Sequence, residues 1–173
     1  HAYKTVRNIF GLLSAALKGK VDLDVALPQK EKIKITIPTQ QEIQRLLQYA
    51  AGKEIELPIL LTACLGLRRG EIAPLDYSDI DFQRKTITIS KSMVLNSSSE
   101  WVVKKPKTYS GNRTLKVYDF ILDKVQERKD AELPLISLTP NQISDEFSYA
   151  LEKTGLPHFR FHDLRHYNAS VML

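Results

Sequence analysis

One stretch of the sequence leaves almost no room for a water-facing side. From Ile55 to Leu65 the chain reads Ile-Glu-Leu-Pro-Ile-Leu-Leu-Thr-Ala-Cys-Leu, apolar at nearly every position. A helix that is apolar all round must be wrapped by other elements. The stretch is therefore expected to form the central buried helix of a domain. Pro58 fits only in the first turn, where a missing N–H costs little. Beyond its end comes Leu65-Gly66-Leu67-Arg68-Arg69-Gly70-Glu71-Ile72, an arginine pair on a glycine-flanked turn.

The elements available for the wrapping follow from local signals. Thr39 and Glu42 have capping-box spacing, and Ile43, Leu46, Leu47 and Ala50 give the following helix an apolar face. Phe120, Ile121, Leu122 and Val125 mark a later helix. Thr139-Pro140-Asn141-Gln142 starts another, with proline at its first position, and Gly155 and Pro157 end it. Between these helices lie three short runs of strand character: Thr86–Ile89, Trp101–Val103 and Thr114–Val117. Asp79-Ile80-Asp81 reads as a turn. The expected fold is mainly α with a small three-stranded antiparallel β-sheet, an α+β class. An amphipathic helix with Val6, Ile9, Phe10, Leu13 and Leu17 on one face precedes it, with Gly19 as its stop. An extended basic segment with Lys30, Lys32 and Lys34 follows that helix. The expected division is residues 1–35 and 36–173.

The 173 residues allow one sizeable core, and a hydrophobic share of 43% marks a globular chain. A net charge of +5 and a pI near 9.2 permit an anionic partner without requiring one. The only cysteine, Cys64, lies in the apolar stretch and is expected to be buried and reduced; a disulfide framework and a cysteine-rich zinc site are excluded. No signal peptide or membrane-spanning run is visible, which favours the cytoplasm. The most one-sided charge lies between Trp101 and Tyr118, where Lys104, Lys105, Lys107, Arg113 and Lys116 occur with no acidic residue.

The densest polar cluster is Phe161-His162-Asp163-Leu164-Arg165-His166. On a helix His162 and Arg165 share a face. If the helix starts near His162, its free N–H groups and dipole add to a phosphate-binding character. On spacing alone the pair is equally a solvated helix end. His158, His162 and His166 have a four-residue spacing that could serve a metal, but Pro157 interrupts such a helix and Arg165 opposes a cation. Asp76, Asp79 and Asp81 lack a calcium-loop pattern and read as turn and cap residues.

Three separated motifs, taken in order, resemble the tyrosine recombinases, the phage integrase family. The stretch Leu65 to Ile72, followed by Leu75 and Asp79-Ile80-Asp81, looks like the first arginine box. Lys105-Pro106-Lys107-Thr108 with Arg113 looks like the lysine hairpin. His162-Asp163-Leu164-Arg165-His166 matches the second box. The resemblance runs from about Pro38 to Leu173, and the preceding helix and linker resemble the end of the family's core-binding domain.

The resemblance implies a catalytic-domain fold, and site-specific DNA recombination by strand cleavage and rejoining through a 3′-phosphotyrosine. Arg68 and Arg165 would clamp the phosphate. Lys107, with Lys105 as the neighbouring alternative, would protonate the leaving 5′ oxygen. His162 would assist proton transfer or bind a non-bridging oxygen. Glu71 and His166 would support the site, and Arg69, Lys104, Lys105 and Arg113 would contact DNA. No metal and no cofactor is implied. The partners implied are double-stranded DNA and further copies of the chain on it, in a bacterial or phage-encoded protein. The family's nucleophilic tyrosine normally follows the second box, and no tyrosine here holds that place; Tyr167 reads as packing or DNA contact. The chain is thus expected to be a fragment that binds DNA and does not cleave it. The rival readings are a non-catalytic DNA-binding protein on the same fold and a metal-dependent nuclease.

Overall fold

The computed structural model describes residues 3–18, 20–21, 25–29, 37–105 and 112–171. By chain contacts it divides into two units, His1–Ile35 and Thr36–Leu173. In the first, α1 (Tyr3–Ala16) buries none of its residues, and Ile9, Leu12 and Leu13 are exposed. The basic segment around Lys30, Lys32 and Lys34, and the stop at Gly19, lie outside the described residues.

The second unit is built around α3 (Glu56–Leu65), which is buried from Leu57 to Ala63. Pro58 sits in its first turn. Four helices pack on it: α2 (Gln40–Ala50), the single turn α4 (Arg69–Ile72), α5 (Asp119–Asp130) and α7 (Asp163–Val171). Helix α6 (Pro140–Thr154) packs on α2 and α4. Two helices start on reciprocal caps. The Thr39 backbone N–H donates to the Glu42 carboxylate at 2.7 Å, and that of Thr139 to the Gln142 side chain at 2.9 Å. Helices α3 and α6 end on Gly66 (φ 67°) and Gly155 (φ 62°), left-handed positions that glycine occupies without a Cβ penalty.

The strands differ from the expected arrangement. A three-stranded antiparallel sheet exists, but its members are β1 (Ile80–Asp81), β2 (Thr86–Ile89) and β5 (Arg113–Lys116), with β2 in the middle. Ile80 and Leu115 flank Ile87 in register. The tryptophan-bearing strand β4 (Trp101–Lys104) instead pairs with β3 (Ser92–Leu95) in a separate hairpin. A two-residue strand has no alternation to read, so Ile80-Asp81 looked like part of a turn. The break between β2 and β3 carries no glycine or proline. It coincides with Lys91, whose ammonium is held by Asp76 and, at 2.9 Å, by Asp79. Those aspartates and Asp81 also cap local backbone: Asp76 accepts from Ser78 N–H, Asp79 from Asp76 N–H and Asp81 from Arg84 N–H.

Cys64 is half-buried, not buried, and desolvation pushes its thiol pKa up. Among the described residues no helix is long and apolar enough to cross a membrane, and no group of three or more His, Cys, Asp or Glu side chains could hold a metal ion.

Phe147 of α6 joins the core to the segment that leads into α7. Its ring meets Phe159 edge-on at 5.6 Å and Phe161 at 5.3 Å, and all three are buried. Phe147→Ala is therefore expected to destabilise the fold by about 3–5 kcal/mol, read from urea unfolding. A loss below about 1 kcal/mol would mean that this aromatic cluster does not anchor the segment before α7.

Candidate active site

The arginine at position 68 is aimed by the way α3 stops. Gly66 turns the chain left-handed, with its N–H on the Thr62 carbonyl at 3.0 Å and the Leu67 N–H on the Leu61 carbonyl at 3.3 Å. Leu67 is then driven into the core, fully buried, which leaves Arg68 extended and facing outward. An added Cβ at Gly66 would lie 2.9 Å from the Asn168 side-chain oxygen. Asn168, on α7, also donates to the Ala63 carbonyl at 3.0 Å. This residue was not singled out from the sequence, yet it ties the helix carrying Arg165 to the turn carrying Arg68.

Glu71 is the centre of the charge arrangement. Its carboxylate accepts from the Arg68 backbone N–H at 2.9 Å and from Arg68 Nη1 at 2.7 Å. It also accepts from Arg113 Nη1 at 3.1 Å and Nη2 at 2.8 Å. Burial works to raise the Glu71 pKa, but the hydrogen bonds from Arg113 and Arg68 outweigh it and hold it at about 2. The Glu71 side chain is only 9% exposed, Arg113 is 26% exposed, and Arg68 is 59% exposed.

Arg165 is the third guanidinium. Its Nη1 is buried and has no hydrogen-bond partner among the described residues. Burial depresses its pKa, and the charges of Arg68 and Arg113 add to that, against the opposing pull of Glu71. A buried donor on a cation, left unpaired among like charges, is costly unless an anion completes it.

The start of α7 differs from the simplest expectation. The N–H groups of Asp163, Leu164 and Arg165 already donate to the carbonyls of Arg160, Phe161 and His162 at 2.8, 3.3 and 3.1 Å. The helix end thus offers fewer free N–H donors than its position suggests. The positive charge near this helix start comes instead from the side chains of Arg68, Arg113 and Arg165. Asp163 is buried and clips the turn by accepting the Arg160 N–H at 2.8 Å and Arg160 Nη2 at 2.9 Å.

Arg68, His162 and Arg165 open onto one cavity of about 730 Å³. Arg69 also lines it and donates from Nη1 to Ser144 of α6 at 2.6 Å. The lining also includes apolar side chains of the β3–β4 hairpin, Met93, Leu95 and Trp101. Desolvation, then the neighbouring charges of Arg165 and His166, push the His162 pKa below its ordinary value. The His166 ring stands edge-on to His162 at 5.5 Å but does not line the cavity. Glu71 and Arg113 likewise do not line it. Lys104 and Lys105 are exposed at the end of β4, and Lys107 lies outside the described residues. Tyr167 is half-buried against the core.

Because Glu71 is held at about 2 against an ordinary 4.5, its stabilising contribution is complete above the ordinary value and drains away as pH falls towards 2. Glu71→Gln is expected to be less stable than the wild type at neutral pH, with a flatter stability profile between pH 4.5 and 2. Urea unfolding across that window checks this; parallel profiles for the two proteins would contradict it.

The sequence profile of the phage integrase family matches residues 37–173. The integrase of Salmonella phage P22 is 30% identical over 179 residues, covering 95% of this chain and 45% of its own length. A XerC-like tyrosine recombinase of Caldanaerobacter subterraneus subsp. tengcongensis is 22% identical over 176 residues, covering 83% of this chain and 45% of its own length. The chain thus spans about half the length of these relatives. The Tn1549 transposon integrase, solved in complex with transposon right-end DNA, superposes with a TM-score of 0.84 at 18% identity, over 99% of this chain and 67% of that one. At that identity the superposition speaks for the fold. The profile match and the ordered arginine boxes carry the assignment: the chain belongs to the phage integrase family, the tyrosine recombinases, and its second unit has their catalytic-domain fold.

Proposed function

We propose that this chain supplies the phosphate-activating part of a site-specific DNA recombinase, which integrates or excises a mobile element through a 3′-phosphotyrosine intermediate. The observation that carries the reading is the cavity shared by Arg68, His162 and Arg165, into whose cluster a buried guanidinium donor comes without a partner. Duplex DNA is the partner proposed here, with further copies of the chain on the same DNA; the Tn1549 integrase is seen in complex with transposon right-end DNA.

The chemistry suits these groups. A tyrosine oxygen attacks the scissile phosphorus, and the bond to the 5′ oxygen breaks. The pentacoordinate transition state gathers charge on its non-bridging oxygens. Arg68 and Arg165 donate to those oxygens through planar forks that suit phosphate. His162, its pKa depressed, is available as a neutral imidazole to assist proton transfer or donate to an oxygen. Lys107, or Lys105 beside it, gives the proton that the 5′ oxygen leaves with. Glu71 and His166 support the arginine and the histidine. Arg69, Lys104 and Lys105 contribute positive charge along the DNA backbone. The energy of the broken phosphodiester is kept in the tyrosine ester, so rejoining needs no nucleotide.

The nucleophile is proposed to come from outside this set: among the described residues no tyrosine lines the cavity. This chain should therefore bind duplex DNA, with affinity falling steeply as salt rises, and leave no detergent-resistant covalent complex. In the full-length gene product, Arg165→Ala is expected to slow covalent complex formation about 10²–10³-fold. Gel assays with end-labelled duplex test both statements. Undiminished covalent complex in Arg165→Ala, or activity abolished by a chelator, would overturn the mechanism.

A further inference from the structure

We propose that Arg113 is a positioning residue that acts through Glu71 to keep the Arg68 guanidinium aimed into the cavity and able to hold an anion. The inference rests on the reading of Arg68 as a phosphate ligand.

Arg113 comes from the basic connection after β4, where a direct DNA contact is the natural expectation. Its geometry points elsewhere. Both terminal nitrogens are engaged, one on each Glu71 oxygen, at 3.1 and 2.8 Å. The side chain is three-quarters buried and does not line the cavity. Its backbone is set by sheet pairing opposite Ile89, itself buried. Arg113 is thus a fork mounted on a rigid strand and closed on a carboxylate. Reaching a DNA phosphate would require opening that pair and leaving a buried Glu71 to Arg68 alone.

The pair matters because of what else Glu71 touches. Its Oε1 lies 2.7 Å from Arg68 Nη1. A carboxylate that close to a phosphate ligand has two adverse effects. It neutralises the cation, and it repels the incoming anion. Arg113 offsets both by taking half of the carboxylate's hydrogen-bonding capacity and balancing its charge. One anion shared by two guanidiniums leaves Arg68 fixed, among the described residues, by a single side-chain bond from Nη1. Without Arg113, Glu71 could turn to chelate Arg68 with both oxygens and draw it back from the cavity. The arrangement also links two motifs. The segment containing Lys105 and Lys107 runs into β5, whose first residue is Arg113. The start of β5 is thereby fastened to the arginine box.

The test compares wild type, Arg113→Gln, Arg113→Lys, Glu71→Gln and the double variant R113Q/E71Q, all in this chain. Binding to a generic duplex is measured as a function of salt. Arg113→Gln is expected to weaken binding about tenfold while the slope of log affinity against log salt stays unchanged. Adding Glu71→Gln should restore most of the loss, since the uncompensated carboxylate is gone. A slope reduced by about 0.9, or additive losses in the double variant, would make Arg113 a direct backbone contact and overturn the proposal. Arg113→Lys keeps the charge but not the fork and should fall between; it serves if Arg113→Gln does not fold.

A second arm needs no DNA. Carbon-detected titration should show the Glu71 midpoint rising in Arg113→Gln, and the Arg68 Nε–H resonance should move. An unchanged Arg68 resonance overturns the proposal. If the wild type binds no duplex at all, the recombinase reading fails, and this arm still decides whether Arg113 positions Arg68.

Discussion

Helix α3 has no side that tolerates water, and the second unit is arranged to meet that constraint. Helices α2, α4, α5 and α7 pack against it. Two of the packing partners carry the site. The chain leaving α3 turns at Gly66 and presents Arg68, and α7, docked on α3, carries Arg165. The meeting of two arginines far apart in sequence is thus a by-product of burying one apolar helix. Asn168 and Phe147 refine the fit, the first by bonding α7 to the Ala63 carbonyl, the second by holding the segment before His162.

The same packing creates an electrostatic problem. It brings Arg68, Arg113 and Arg165 around a single carboxylate. The carboxylate is nearly saturated by two of them, and among the described residues Arg165 Nη1 is buried without a partner. Arg165 as a residue is half-buried, and desolvation penalises a cationic donor held without a partner. Here the penalty fits an arrangement completed by an anion.

Much of this was readable in residue order where the signal is local. Thr39 with Glu42 and Thr139 with Gln142 are caps between residues three apart, so spacing alone reveals them. The ends at Gly66 and Gly155 follow from glycine's access to left-handed backbone. The pairing of Trp101 with Leu95 was not readable, because the break at Lys91 depends on Asp76 and Asp79. Arg113 looked like one more cation in a basic run. Its closure on Glu71, across 42 positions, has no local signature. The free N–H groups expected at the start of α7 are mostly taken by its own tight first turn.

Residue order alone revealed the helices α2, α3, α5 and α6, the caps of α2 and α6, and two arginine boxes with a lysine-rich connection in the family's order. Periodicity and capping are properties of neighbours in the chain, so they survive in one dimension. Which charges share a cavity, and that Glu71 holds both Arg68 and Arg113, emerged only in the tertiary structure. Those outcomes depend on how buried faces dock, and contacts such as Asn168 with Ala63, 105 residues apart, exist only once the core has formed.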